Sequence, residues 1–219
     1  QFMNYVKDMK TKYPYSDIKV CRDHCGPGFN GNHDLQDVYS SIESDVKNGF
    51  DLIHIDYCHF KGSKEENFEE SKKAILKCLE LNPNVLLEIG TDENIGVKFT
   101  INDLETLEEE IDFFKQFCNP QFYVVQTGSL VMEINQVGSF NPDFIKKVSE
   151  VIKSKGLKLK EHNADYLSKE QIRERTGIVD AMNIAPQLGV IQTQFVLNKC
   201  LTYGIDFSND SLKRSSAIL

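Results

Sequence analysis

The sequence predicts an α/β fold built on a parallel sheet. Three observations carry that reading. Short β-rich runs alternate with longer helical patterns along the 219 residues. The β-rich runs are nearly all apolar, as strands covered on both faces are. Where they break that rule, they do so at one place, the carboxyl end of each run.

In chain order, the strand candidates are 18–23 (IKVCRD), 51–56 (DLIHID), 84–90 (NVLLEIG), 121–128 (QFYVVQTG), 157–162 (LKLKEH) and 179–184 (VDAMNI). Between and after them lie helical patterns at 35–48, 64–81, 102–118, 141–155, 168–175 and 187–203. Segment 102–118 sets Leu104, Leu107, Ile111, Phe114 and Phe117 on one stripe, and 64–81 does so with Phe68, Ala74, Ile75, Cys78 and Leu79. Helix starts are marked by Asn102-Asp103, by Asn141 before Pro142, and by Ser168 before Lys-Glu-Gln. Nothing of low complexity marks a boundary, so residues 1–219 read as one domain.

Six βα units on counting alone suit a doubly wound sheet; a (β/α)8 barrel needs eight strands and roughly 250 residues. The opening segment 2–12, however, reads as a helix without its strand. That is what a barrel missing its first units would leave. The chain begins with Gln1 and not Met, which marks it as processed, trimmed or a fragment.

Composition narrows the partners. The net charge is −8, from 25 basic and 33 acidic side chains. That argues against a nucleic-acid binder, which needs a basic face. No apolar run approaches the roughly 18 residues of a membrane span, and the first residues lack a signal peptide's apolar core. The six cysteines (21, 25, 58, 78, 118 and 200) are scattered, which fits free thiols in a reducing cytoplasm. Cys21 and Cys25 have no second pair, so they do not make a structural zinc site.

The strand ends carry the chemistry. Arg22, Asp23 and His24 end the first run, His54 and Asp56 the second, and Glu88 the third; Gln126 ends the fourth, Lys160 and His162 the fifth, Asn183 the sixth. Carboxyl ends are where βα folds build active sites. Imidazoles with carboxylates suit a borderline cation such as Zn²⁺, and His24, His162 and Glu88 could supply three ligands. Asp23 lies beside His24 and, by strand alternation, cannot point the same way, which leaves it free as an acid or base. Other features read as ordinary. His33 and His59 are loop histidines, Lys64-Glu65-Glu66 a solvated helix start, and Lys160 shares parity with His162 without an apolar setting for Schiff-base chemistry. The glycine-rich stretch 26–32 lacks the spacing of a nucleotide fingerprint.

The run VCRDHCGPG resembles the strand-end DH segment of class II, metal-dependent ketose-bisphosphate aldolases. Its DH-x-GP form is closer to the accessory, non-catalytic subunit family of tagatose-bisphosphate aldolase. HIDYCH, LEIGTDEN, VVQTGSLV, KEHNADY and MNIAPQLG follow in matching order, so the resemblance covers roughly 18–195. It implies a (β/α)8 TIM barrel, here lacking the first two βα units, with the six runs as strands three to eight. It implies Asp23 as acid/base, Asn183 in contact with substrate, and His24, His162 and Glu88 at a Zn²⁺ or other divalent metal. Asn163, Gln126, Asp56 and Lys160 become substrate-side residues. The implied activity is reversible aldol cleavage of a phosphorylated ketose by a cytoplasmic oligomer; the alternative is a stabilising subunit beside a catalytic one. Two departures stand out. The stretch 185–189 lacks the family's glycine-serine phosphate signature. The segment QTGSLVME lacks the third zinc-binding histidine, where Gln126 or Glu133 could substitute.

Overall fold

The structure, a computed structural model, describes residues 2–14, 17–90 and 101–206. Six strands form one parallel sheet: β1 (Cys21–Cys25), β2 (Leu52–Ile55), β3 (Leu86–Gly90), β4 (Phe122–Val125), β7 (Lys158–Glu161) and β8 (Ala181–Met182). A two-stranded hairpin, β5 (Val131–Met132) and β6 (Asn135–Gln136), interrupts the series and was not expected from the sequence. Its strands are two residues long, too short for an alternation to register.

The order across the sheet is β1-β2-β3-β4-β7-β8, the order of the chain, with every neighbouring pair parallel. A doubly wound sheet reverses its strand order at a switch point; this one never does. Right-handed crossovers in a constant direction put the connecting helices on one face and leave the other as a concave wall. The result is a curled, partial barrel, which settles against the alternative that strand counting favoured.

Seven helices are seen among the described residues: α1 (Phe2–Lys12), α2 (Leu35–Asn48), α3 (Lys64–Leu81), α4 (Ile101–Lys115), α5 (Pro142–Ser154), α6 (Lys169–Glu174) and α7 (Pro186–Thr202). Their starts follow local chemistry. Asp34 caps α2, Asn141 caps α5 ahead of Pro142, and Ser63 with Glu66 and Ser168 with Gln171 form reciprocal capping boxes. The expected marker Asn102-Asp103 and the TDEN part of LEIGTDEN lie outside the residues whose side chains are described.

Strand alternation divides the sheet. Ile53, Ile55, Leu87, Ile89, Tyr123, Val125 and Leu159 face the helices and pack with Ile42, Ile75, Ile111, Ile145 and Ile152 in a single core. Their partners in alternation, His54, Glu88, Val124 and Lys160, face the concave side. One helix departs from this economy. Val190 is the buried residue of α7, while Leu188, Ile191, Phe195 and Leu201 are 53–65% exposed. No described helix is long and apolar enough to cross a membrane, and all six cysteines are free thiols.

Candidate metal centre

The carboxyl ends of the strands meet at one mouth. β1 arrives there through an irregularity: its register with β2 shifts between Arg22 and Cys25, and His24 sits at φ 48. A left-handed residue inside a strand breaks alternation. This corrects the expectation that Asp23 and His24 point apart: both reach the mouth, with His24 Nε2 3.8 Å from Asp23 Oδ2. The bend needs a glycine behind it, because a Cβ on Gly26 would sit 1.6 Å from the Asp56 carbonyl oxygen.

Three imidazoles converge on the Asp23 carboxylate. Besides His24, the His54 Nδ1 lies 3.4 Å away and the His162 Nε2 4.0 Å away. The His24 and His162 rings meet edge to face, 4.9 Å between centroids, so the two expected ligands are neighbours. They nevertheless belong to different groups. Asp23, His54, Glu88 and His162 bring one ligand atom each within 4.8 Å of one another; His24 groups with His54 and Asp56. The member common to both is His54, which the sequence reading placed at a strand end but left out of the ligand set.

Hydrogen bonds fix these rings. His24 Nδ1 is 2.8 Å from the buried Asp56 carboxylate, which also accepts the Cys58 backbone N–H at 3.0 Å. Asp56 is therefore an orienting group behind His24. The His54 Nε2 is 2.9 Å from the Gly90 carbonyl. A carbonyl can only accept, so Nε2 carries the proton, and Nδ1 accepts a long bond from the His24 backbone N–H at 3.4 Å while facing Asp23 and Glu88. Lys160 donates to both oxygens of Glu88 at 2.7 and 2.9 Å, which commits its amine to an ion pair. Asn183 donates from Nδ2 to Asp23 Oδ2 at 3.0 Å. The His162 Nε2 is buried and has no hydrogen-bond partner among the described residues.

Protonation follows from this crowding. Burial pushes the Glu88 carboxyl up, but His162, His54 and Lys160 together bring it below its ordinary value. Asp23 behaves likewise: burial raises it, and the hydrogen bond with His54 and the other imidazoles hold it well below the carboxylate range. Burial dominates at His162, whose pKa falls. At His54 burial is outweighed by Asp23, Glu88, Asp56 and the Gly90 carbonyl, so its pKa rises. A carboxylate pair facing a bare imidazole nitrogen calls for a positive charge between them, and two imidazoles with two carboxylates form a donor set for a borderline divalent cation. The residues fit a metal.

The other expected site residues are placed less centrally. Gln126 is buried at the end of β4. Asn163 sits at φ 56 with its carbonyl accepting from Gln136. Glu133, a possible substitute ligand, is exposed at the tip of the β5–β6 hairpin. His33 and His59 are exposed loop residues. A cleft of about 380 Å³ opens beside Asp23, His24 and Phe29.

Fold and mouth together define a partial parallel barrel with a cluster of histidines and carboxylates at its carboxyl-terminal face that could hold a metal ion. No family model matches the sequence, and no curated protein does. Solved structures do match. A protein described as a probable tagatose 6 phosphate kinase from Sinorhizobium meliloti 1021 is 16% identical, with a TM-score of 0.72 over 95% of this chain and 59% of its own. The YdjI aldolase from Escherichia coli K12 is 16% identical, with a TM-score of 0.58 over 91% of this chain and 64% of its own. A protein named as a phosphonomutase, from Burkholderia cenocepacia J2315, is 14% identical, with a TM-score of 0.53 over 84% of this chain and 70% of its own. At these identities the likeness is one of fold. The chain spans about three fifths of the length of the first two.

Proposed function

We propose that this chain is an aldolase-like (β/α)-barrel domain, 1–219, that holds a divalent cation at its mouth and takes part in reversible aldol cleavage of a phosphorylated ketose. The observation that carries the reading is the buried, unpartnered His162 Nε2 facing Glu88 and Asp23 at 3.6 and 4.0 Å. A buried polar atom without a partner costs about 1–3 kcal/mol, so such a site persists where a ligand completes it.

When bound, a divalent cation supplies Lewis-acid stabilisation of the enediolate that carbon–carbon cleavage produces. The chain's residues do the rest. Asp23 accepts the proton of the cleaving hydroxyl and returns it in the aldol direction. Asn183 holds the Asp23 carboxylate towards the mouth. Asp56 fixes the His24 ring, and Lys160 balances the charge of Glu88. The test is turnover of a tagatose-bisphosphate-type ketose with divalent metal present. Asp23→Asn should lower it by roughly 10²–10⁴-fold while leaving metal content unchanged; an Asp23→Asn variant with full turnover would remove Asp23 from the mechanism.

One observation favours the second reading, a non-catalytic accessory subunit or sugar-phosphate-binding barrel. Helix N-termini after barrel strands seat phosphates through free backbone N–H groups. At α7 that seat is filled by the chain's own Asp165 carboxylate, buried, which accepts from the Ala185 N–H at 3.1 and 3.3 Å and the Gln187 N–H at 2.8 Å. The exposed apolar stripe of α7 is also what a partner subunit or a second copy would cover. If the wild-type chain turns over no phosphorylated ketose alone but raises the activity or lifetime of a catalytic subunit, the accessory reading takes over.

A further inference from the structure

We infer that the third ligand position of the mouth, for which β4 supplies no histidine, is filled from β2: His54, His162 and Glu88 form the metal centre, and His24 stands outside it. This deepens the proposed function and rests on its reading of the mouth as a metal site. It also revises the ligand set that the sequence suggested, in which His24 held the place that His54 takes.

Geometry comes first. The His54 Nδ1 and the His162 Nε2 each lie 3.6 Å from the same oxygen of Glu88, Oε1. Tetrahedral zinc with bonds of about 2.0–2.1 Å holds its ligand atoms about 3.3–3.4 Å apart. Both imidazole-to-carboxylate separations are thus within a few tenths of an ångström of what a tetrahedral ion requires, and the ligand atoms of the group all lie within 4.8 Å of one another. His24 is not in this group.

Orientation comes second. A ligating histidine commonly donates its other ring N–H to a carbonyl or carboxylate, which fixes the tautomer and aims the lone pair. His54 has that partner in the Gly90 carbonyl at 2.9 Å. Gly90 is itself constrained: it sits at φ 88, and a Cβ there would lie 2.3 Å from the Val124 carbonyl oxygen. The carbonyl that orients His54 is therefore set by close packing of β3 on β4. His24 has a comparable partner in Asp56, but its free Nε2 points at Asp23 Oδ2, 3.8 Å away, on the rim of the mouth. Its side chain is 30% exposed, against 0% for His54 and 4% for His162.

Occupancy comes third. The orphan Nε2 of His162 is fully buried and needs a partner at the point where the three atoms meet. Three protein ligands would leave the fourth position that catalytic rather than structural zinc keeps; Asp23, the remaining member of the group, lies 3.4 Å from His54 Nδ1 and 4.0 Å from His162 Nε2 and is assigned to proton transfer.

The experiment is a titration of the purified chain with Co²⁺, read by visible absorption, with Zn²⁺ competition for affinity. His54→Gln is the main variant. Its amide nitrogen can keep the bond to the Gly90 carbonyl while the Nδ1 ligand disappears. His54→Ala and circular dichroism check that any loss is not unfolding. The wild type should bind one ion per chain. His54→Gln should weaken it beyond the roughly 10–100-fold that losing an orienting partner costs, and His24→Ala by less. Retained affinity in folded His54→Gln, or loss in His24→Ala with His54→Gln intact, would overturn the assignment. So would a wild type that binds no ion. Ketose turnover, assayed separately, tests the proposed function: a His54-dependent ion without turnover leaves this assignment standing and removes the aldolase reading.

Discussion

Two buried ionic clusters share strand β7 and stand on its opposite faces. Glu161 faces the helix layer. It accepts from Arg175 Nε at 3.0 and 2.7 Å, from Thr127 Oγ1 at 2.6 Å and from the Ser129 hydroxyl. Arg175 also donates to the Gln171 carbonyl at 2.7 Å and to Ser129 at 2.9 Å, and its guanidinium lies 4.0 Å from the Phe140 ring centre. One residue on, His162 faces the mouth, with Glu88, His54 and Asp23, and there a buried ring nitrogen has no hydrogen-bond partner among the described residues. Both clusters hold full charges, and both are deeply buried except at Asp23, whose side chain is 43% exposed on the rim of the mouth. The first is closed upon itself and braces β7 against α6 and the loop after β4. The second is complete only with something added. Burial of charge therefore separates into structure and function by how fully its donors and acceptors are paired.

The comparison breaks first at Arg175. Arg175→Met strands a buried carboxylate and should cost about 3–5 kcal/mol in a urea denaturation series; Glu161→Leu with Arg175→Met should recover most of that, because a buried pair replaced by apolar groups is close to neutral. A single-variant cost below about 1 kcal/mol would mean the cluster is no brace.

The mouth should respond in the opposite sense. His162→Gln removes no hydrogen bond of the ring's Nε2, so metal-free stability should change by less than about 1 kcal/mol. The same substitution should abolish the stabilisation by zinc, which for the wild type is about 2.7 kcal/mol at an ion concentration 100 times the dissociation constant. Thermal unfolding with and without zinc measures both.

The smallest effect is one of pH. Glu88 is depressed below its ordinary value of 4.5 in the folded chain. The unfolded chain then binds the proton first, so the stability Glu88 contributes is complete above about pH 5 and is lost as pH falls below the ordinary value. Urea midpoints between about pH 5 and pH 3 should fall, and Glu88→Gln should flatten that fall. An unchanged slope would show that Lys160 and the imidazoles do not hold Glu88 ionised.

Much of this was legible in the sequence. Apolar runs ending in polar residues gave the six sheet strands to within a few residues, and Asn141 and Ser168 marked where two of the helices begin. The meeting of Asp23, Glu88, His162 and Asn183 followed from their common place at strand ends. Three things were not legible. Strand order cannot be counted from elements, so the constant direction of winding waited on the pairing itself. The bend at His24 is a backbone conformation, φ 48, that no side-chain pattern signals, and strand parity without it pointed Asp23 and His24 apart. The role of His54 depended on the Gly90 carbonyl and on a distance across two strands. Its signal was present all the same, as a histidine sharing parity with Asp56 inside an otherwise apolar run.

The most direct test of the mouth as a metal centre uses the five histidines of the chain as separate reporters. In nitrogen-15 NMR of histidine-labelled protein, each ring nitrogen reports its proton or its metal. One equivalent of Zn²⁺ should shift the Nε2 of His162 and the Nδ1 of His54 into the metal-bound range. The ring nitrogens of His24, His33 and His59 should stay in the range of uncoordinated imidazoles. Shifts at His24 in place of His54, or no bound nitrogen at His162, would contradict the account.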